Sequence, residues 1–182
     1  KLKILKNTIM EDIKKINKIH KEKMVKTKAI RKKIMKTKKL KKGLIIVHTG
    51  NGKGKSSSAF GMVMRCIAHK IPCAVIQFIK GSWNTGEKKL LKEKFSNECI
   101  FIVSGDGFTW DTQDRETDIK SANKGWEKAK DLICNKKIKF VLLDEINIAL
   151  KYKYINVDEV VKFLENEKPP STHVVLTGRS AN

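Results

Sequence analysis

One stretch constrains the fold of this chain more than any other: Gly43-Leu-Ile-Ile-Val-His-Thr-Gly-Asn-Gly-Lys-Gly-Lys-Ser-Ser-Ser58. An apolar run, Leu44 to Val47, enters a glycine-rich turn that ends in Gly54-Lys55-Ser56 and opens onto a helix-like segment. Strand, glycine-rich loop and helix N-terminus in that order make a phosphate-cradling P-loop. The glycines let backbone N–H groups converge on phosphate oxygens, Lys55 adds a positive charge, and the Ser56 hydroxyl suits Mg²⁺. The expectation is a nucleoside triphosphate site.

The match departs from the usual pattern at one place. G-x-x-x-x-G-K-[ST] requires glycine at position 49, where Thr49 stands, and Gly50 lies only four residues before Gly54. The phosphates are therefore not expected to sit as in an ordinary ATPase.

Around this loop, the chain reads as an α/β protein. Strands are expected at 44–48, 73–79, 99–103, 138–143 and 173–176, and helices at 55–69, 86–95, 115–134 and 157–166. Short, near-continuous apolar strands alternating with helices imply a parallel sheet covered on both faces. Ligands of such sheets bind at the carboxyl ends of the strands. The glycine-rich loop, Asp144-Glu145, the 104–114 segment and Thr177-Gly178-Arg179 all fall at those ends.

Residues 1–42 form a separate region. They contain no glycine or proline, carry +15 of the net +21 charge, and repeat apolar residues at helical spacing (Ile9, Ile13, Ile16). This reads as a basic helical arm, either solvated or packed on a neighbouring subunit or over the site. Residues 43–182 carry +6 and form the nucleotide-binding domain. Because the excess charge is concentrated in the arm, nucleic-acid binding is not expected as the main function. No apolar run approaches the ~20 residues of a membrane-spanning helix. The four cysteines (Cys66, Cys73, Cys99, Cys134) include no C-x-x-C pair, and free thiols in a reducing cytoplasm are expected. The chain begins with Lys1 and ends three residues after Arg179, so a portion of a longer chain lacking its C-terminal end is expected.

Four further groups of residues bear on chemistry. Phe140-Val-Leu-Leu-Asp144-Glu145 has the form of a Walker B strand, whose carboxylates hold Mg²⁺ directly or through water. An acidic strand end can also cap the next helix; beside a P-loop the metal role is favoured. Phe108 and Trp110 lie in a glycine-rich loop rather than at core periodicity, and either face a flat apolar ligand or fold inward. Lys80 faces phosphate or solvent, and Arg179 either neutralises a triphosphate or forms a salt bridge. His48, just before the loop, reads as a packed strand residue rather than a base.

Taken together, Val47–Ser56, Gln77-Phe-Ile-Lys-Gly81, Gly107-Phe-Thr-Trp110, Leu143-Asp-Glu-Ile-Asn147 and Thr177-Gly-Arg179 resemble the P-loop type of ATP:corrinoid adenosyltransferase, also called cob(I)yrinic acid a,c-diamide adenosyltransferase. The resemblance runs from about His20 to the end. It implies a RecA-like three-layer α/β fold and a homodimer. It also implies transfer of the 5′-deoxyadenosyl group of ATP to the cobalt of a reduced corrinoid, with triphosphate released, in cobalamin biosynthesis or salvage. By the same resemblance Gly50, Asn51, Gly52, Lys53, Gly54, Lys55, Ser56 and Ser57 cradle the triphosphate, with Arg179 contributing charge. Ser56, Glu145 and Asp144 hold Mg²⁺. Phe108 and Trp110 cover the lower face of the corrin and displace its axial ligand, which makes Lys55, Phe108 and Trp110 the catalytic set. No D-x-H-x-x-G motif occurs, so no histidine of that motif can ligate cobalt. A flavoprotein is the implied reductant and the cytoplasm the implied location. The rival readings are a RecA-like ATPase with a nucleic-acid-binding arm and a nucleotide-binding module without catalysis.

Overall fold

The computed structural model describes residues 2–79, 85–104 and 114–181, with side chains described from residue 10 onward. The chain forms two compact units, Lys1–Lys41 and Lys42–Asn182.

The first unit is one helix, α1 (Leu2–Thr37). Its apolar residues Ile13, Ile16, Ile19 and Ile30 are exposed, and its length carries no glycine or proline to break the backbone ladder.

In the second unit, the elements run β1 (Ile45–His48), α2 (Lys55–Ala68), β2 (Cys73–Phe78), α3 (Gly86–Lys94), β3 (Cys99–Ser104), α4 (Arg115–Cys134), β4 (Phe140–Asp144), α5 (Ile146–Lys151), α6 (Val157–Asn166) and β5 (His173–Thr177). The five strands form one all-parallel sheet in the order β1-β5-β4-β2-β3. Thus β5 is threaded between the strand that precedes the glycine-rich loop and the strand that ends in Asp144.

Alternation along each strand divides the core into two layers. Ala74, Ile76, Phe78, Val141, Leu143, Val174 and Leu176 pack with α4, α5 and α6. Cys73, Val75, Phe140, Leu142 and Val175 face the other way, onto Phe60 and Val63 of α2 and Leu91 of α3. Helices on both faces of a parallel sheet give the three-layer α/β arrangement expected from the strand and helix pattern.

Local chemistry explains most boundaries. Thr85 caps α3, its hydroxyl accepting from the Lys88 N–H at 3.3 Å. Asp114 caps α4, accepting from Glu116 and Thr117 N–H groups, and Asn156 caps α6 through Asp158 and Glu159. Near Trp126, α4 is tied to α6: the indole Nε1 donates to Glu159 Oε1 at 2.8 Å and the ring meets Phe163 edge-on at 5.3 Å. The fourth strand begins at Phe140, two residues later than expected, because the Ile138 N–H is taken by Asn135 in a turn; it then runs on through Asp144. Helix α5 has only six residues, too few to show a 3.6-residue period.

The cysteines are free thiols: Cys73 and Cys99 are buried and Cys134 is exposed.

Candidate active site

The glycine-rich loop leaves β1 at the carboxyl edge of the sheet. Gly50 (φ 114°) and Gly54 (φ 100°) hold left-handed backbone that side-chain-bearing residues rarely adopt. Between them the chain wraps the ammonium of Lys55, whose Nζ donates to the Gly50 carbonyl at 2.8 Å and to the Gly52 carbonyl. The first turn of α2 is fastened back to β1. Ser58 Oγ lies 3.0 Å from His48 Nδ1 and donates to the Lys55 carbonyl at 3.0 Å. His48 is therefore a packed, half-buried strand residue that anchors the helix start, as expected from its position.

Thr49, the departure from the usual loop pattern, has a structural use. Its hydroxyl accepts the Ala181 N–H at 3.1 Å, and the Gly178 N–H donates to the His48 carbonyl at 3.2 Å. Two hydrogen bonds thus join the loop to the segment that carries Arg179. A glycine at 49 has no side chain to make the first of them. Arg179 is exposed and has no ion pair among the described residues.

The acidic strand end lies on the same face of the sheet as α2. Asp144 is fully buried, and both carboxylate oxygens are engaged: Oδ2 accepts from Gln77 Nε2 at 2.9 Å and Oδ1 from Thr177 Oγ1 at 2.8 Å. Gln77 is the register partner of Asp144 on β2, and Thr177 the partner of His48 on β1. His48, Thr177, Asp144 and Gln77 therefore form a polar row across four neighbouring strands, ending the apolar α2 face. The Thr177 hydroxyl also accepts the Glu145 N–H at 2.9 Å. That bond fixes Glu145 in the left-handed region (φ 62°), a conformation costing roughly 1–2 kcal/mol in a non-glycine residue. Glu145 sits at the N-cap of α5 without making a side-chain cap bond, so helix capping is not the use of its carboxylate. Its Oε2 points toward Gly178, lying 3.3 Å from where a Cβ on that residue would stand. Asn147 Nδ2 donates to the Gly178 carbonyl at 3.2 Å and completes the tie between β4 and β5.

One atom of the row lacks a partner. Gln77 Oε1 is buried with no hydrogen bond among the described residues, a situation that costs about 1–3 kcal/mol.

The structure thus brings Gly50 to Ser57, Asp144, Glu145 and Arg179 to one end of the sheet. Phe108 and Trp110, and Lys80 beside Gln77, lie outside the described residues. Reading the sequence alone assigned no role to Gln77, Thr177, Asn147, Ser58 or the Thr49 hydroxyl. All five lie in stretches that the sequence singled out, but only strand order shows which of them meet.

A glycine-rich loop and an acidic strand end at the carboxyl end of an all-parallel sheet, one strand apart, are consistent with a P-loop-like three-layer α/β fold. The comparison of sequences narrows the class. The family described as ATP:corrinoid adenosyltransferase BtuR/CobO/CobP matches residues 41–182, and the chain belongs to it. A corrinoid adenosyltransferase of Sinorhizobium sp is 60% identical over 162 residues, covering 89% of this chain and 76% of that protein. The corrinoid adenosyltransferase of Pseudomonas aeruginosa is 44% identical over 162 residues (89% and 79%), and that of Escherichia coli strain K12 is 43% identical over 141 residues (78% and 70%). The chain is accordingly a transferase that adenosylates corrinoids with ATP, and the ATPase reading is not favoured.

Proposed function

We propose that the loop from Gly50 to Ser57 binds the triphosphate of ATP, with Lys55 as its principal cation and Arg179 as a second charge. The single observation that carries this reading is that the loop and Asp144-Glu145 both follow the carboxyl ends of their strands, with β5 between those strands.

The donor set at that end of the sheet is hard: the Ser56 hydroxyl and the carboxylates of Glu145 and Asp144. Among the described residues no cluster of three or more His, Cys, Asp or Glu side chains exists that could cage an ion alone. Two carboxylates and a hydroxyl, completed by phosphate oxygens, suit Mg²⁺. Ser56 and Glu145 are the inner candidates. Asp144, whose two oxygens already accept hydrogen bonds, would help hold the ion chiefly through its charge. When bound, Mg²⁺ supplies charge that favours departure of the triphosphate.

In the reaction, the electron pair of Co(I) forms a bond to C5′ of ATP. The C5′–O bond breaks, and its electrons leave on the triphosphate. No protein nucleophile is needed. The chain's own work is to position C5′ and neutralise the leaving group. Phe108 and Trp110 would supply a dry wall on the lower corrin face, removing an axial ligand so that Co(II) is more easily reduced. Residues 43–182 carry this chemistry, and residues 1–42 are an arm appended to it. The reading brings with it a homodimer, a flavoprotein reductant and a cytoplasmic setting, the last supported by four free thiols. No helix of the described residues is long and apolar enough to cross a membrane.

The test supplies anaerobic, pre-reduced cob(I)alamin and Mg·ATP to the protein and follows adenosylcobalamin and the phosphate product together. Light-sensitive adenosylcobalamin with intact triphosphate is expected. ADP and phosphate without a cobalt–carbon product would overturn the assignment.

A further inference from the structure

We propose that Gln77 is the positioning residue of this site: its amide sets the Asp144 carboxylate and thereby the affinity for the metal-bound form of ATP. The inference rests on the metal reading of Asp144 and Glu145 above.

Three observations carry it. First, Gln77 is fully buried near the end of β2, where its neighbours Val75, Leu142 and Val175 on the same face are apolar. Packing alone therefore asks for an apolar side chain there. Second, the amide uses only one end. Nε2 donates to Asp144 Oδ2 at 2.9 Å, while buried Oε1 has no partner among the described residues. An apolar side chain of the same shape would leave no stranded carbonyl. The residue that stands there is worse for packing, and among the described residues its one hydrogen bond is the one it donates to Asp144. Third, Asp144 is held from both sides by side chains in register on adjoining strands, Gln77 from β2 and Thr177 from β5. Both donors are neutral. They fix the carboxylate's orientation without cancelling its charge, which stays available to a cation. Thr177 has a second duty, holding the Glu145 backbone, whereas among the described residues the Gln77 side chain bonds to Asp144 alone. Side chains that orient a metal-site carboxylate in this way typically govern metal affinity about 10–100-fold.

The test uses Gln77→Met, which keeps the length of the side chain and removes the donor, with Gln77→Leu as a second variant. ATP affinity is measured by calorimetry with Mg²⁺ and with a chelator in its place, in the wild-type, Asp144→Asn and doubly substituted backgrounds, alongside melting temperature. Gln77→Met should weaken Mg·ATP binding about tenfold, leave metal-free ATP binding unchanged, and have no further effect once Asp144 is Asn. Equal weakening with and without metal, or none, overturns the positioning role while leaving the metal reading in place. Loss of fold in both Gln77 variants assigns the amide to stability and overturns it too. Wild-type protein that binds ATP no better with Mg²⁺ than without would remove the metal reading and this inference together.

Discussion

Gly125, in the middle of α4, is a site where helix propensity and packing point in opposite directions. Alanine is favoured over glycine in a helix interior by roughly 1 kcal/mol, so Gly125→Ala is stabilising on propensity alone. The structure reverses the sign. A Cβ at 125 would stand 2.2 Å from Ser104 Oγ, 2.5 Å from Ser104 Cβ and 3.1 Å from Phe78 Cε1. Rotating the Ser104 side chain removes the first clash, at the loss of its 2.6 Å hydrogen bond to the Ser121 carbonyl. Rotation cannot move Ser104 Cβ. Restoring ordinary contact at 3.4 Å from 2.5 Å requires α4 to lift from β3 by about 0.9 Å. The same helix buries Ala122, Trp126, Ala129 and Ile133 against the sheet. A radial gap of roughly 0.5–1 Å forfeits a quarter to a half of each dispersion contact. With overpacking costing about 1–3 kcal/mol and the hydrogen bond about 1 kcal/mol, the net of Gly125→Ala is a loss of about 1–3 kcal/mol. Urea unfolding should show a lower midpoint at unchanged slope. Adding Ser104→Gly, which removes both clashing atoms, should recover at least about 1 kcal/mol relative to additivity. A Gly125→Ala protein as stable as wild type, or more so, would refute the close-approach account.

Two further expectations concern buried polar groups. Thr177→Val strips the donor from Asp144 Oδ1 and the acceptor from the Glu145 N–H, and should cost about 2–4 kcal/mol in urea unfolding, whereas Thr177→Ser should cost about 1 kcal/mol; equal losses would show that the hydroxyl is idle. Among the thiols, exposed Cys134 should alkylate readily at pH 8, while Cys73, held protonated by hydrogen bonding to Cys99 and by burial, should resist until unfolding. Burial, with Cys73 nearby, pushes the Cys66 thiol up to about 11. The folded protein therefore keeps a proton that the unfolded chain gives up, so stability should fall as pH rises from the ordinary thiol range toward 11. Rapid labelling of Cys73 in folded protein, or stability flat across that alkaline window, would contradict the burial account.

What the sequence disclosed and what it withheld follow one physical division. Features fixed by a residue and its near neighbours were legible. The glycine-rich loop turned on Gly50 and Gly54, α4 ran from Arg115 to Cys134, and β2 and β4 were apolar enough to be buried on both faces. Both edges of β4 were misplaced, by two residues at the start and one at the end, because a turn bond to Asn135 and pairing across to β2 set them. The threading of β5 between β1 and β4 could not be read locally either. Parity along a strand tells which residues share a face, but not which strand lies alongside.

The site depends on that missing piece. Gln77, Asp144 and Thr177 are separated by 67 and 33 residues along the chain, yet each ends the α2 face of its own strand. Strand order turns three separate polar residues into one hydrogen-bonded row. Place β5 at the sheet edge instead, and Thr177 could not reach Asp144 or hold Glu145 in its left-handed turn. The acidic pair would keep its sequence signature and lose the bonds that aim it. The polar row is thus a product of topology, and the Walker B-like motif names only its central member.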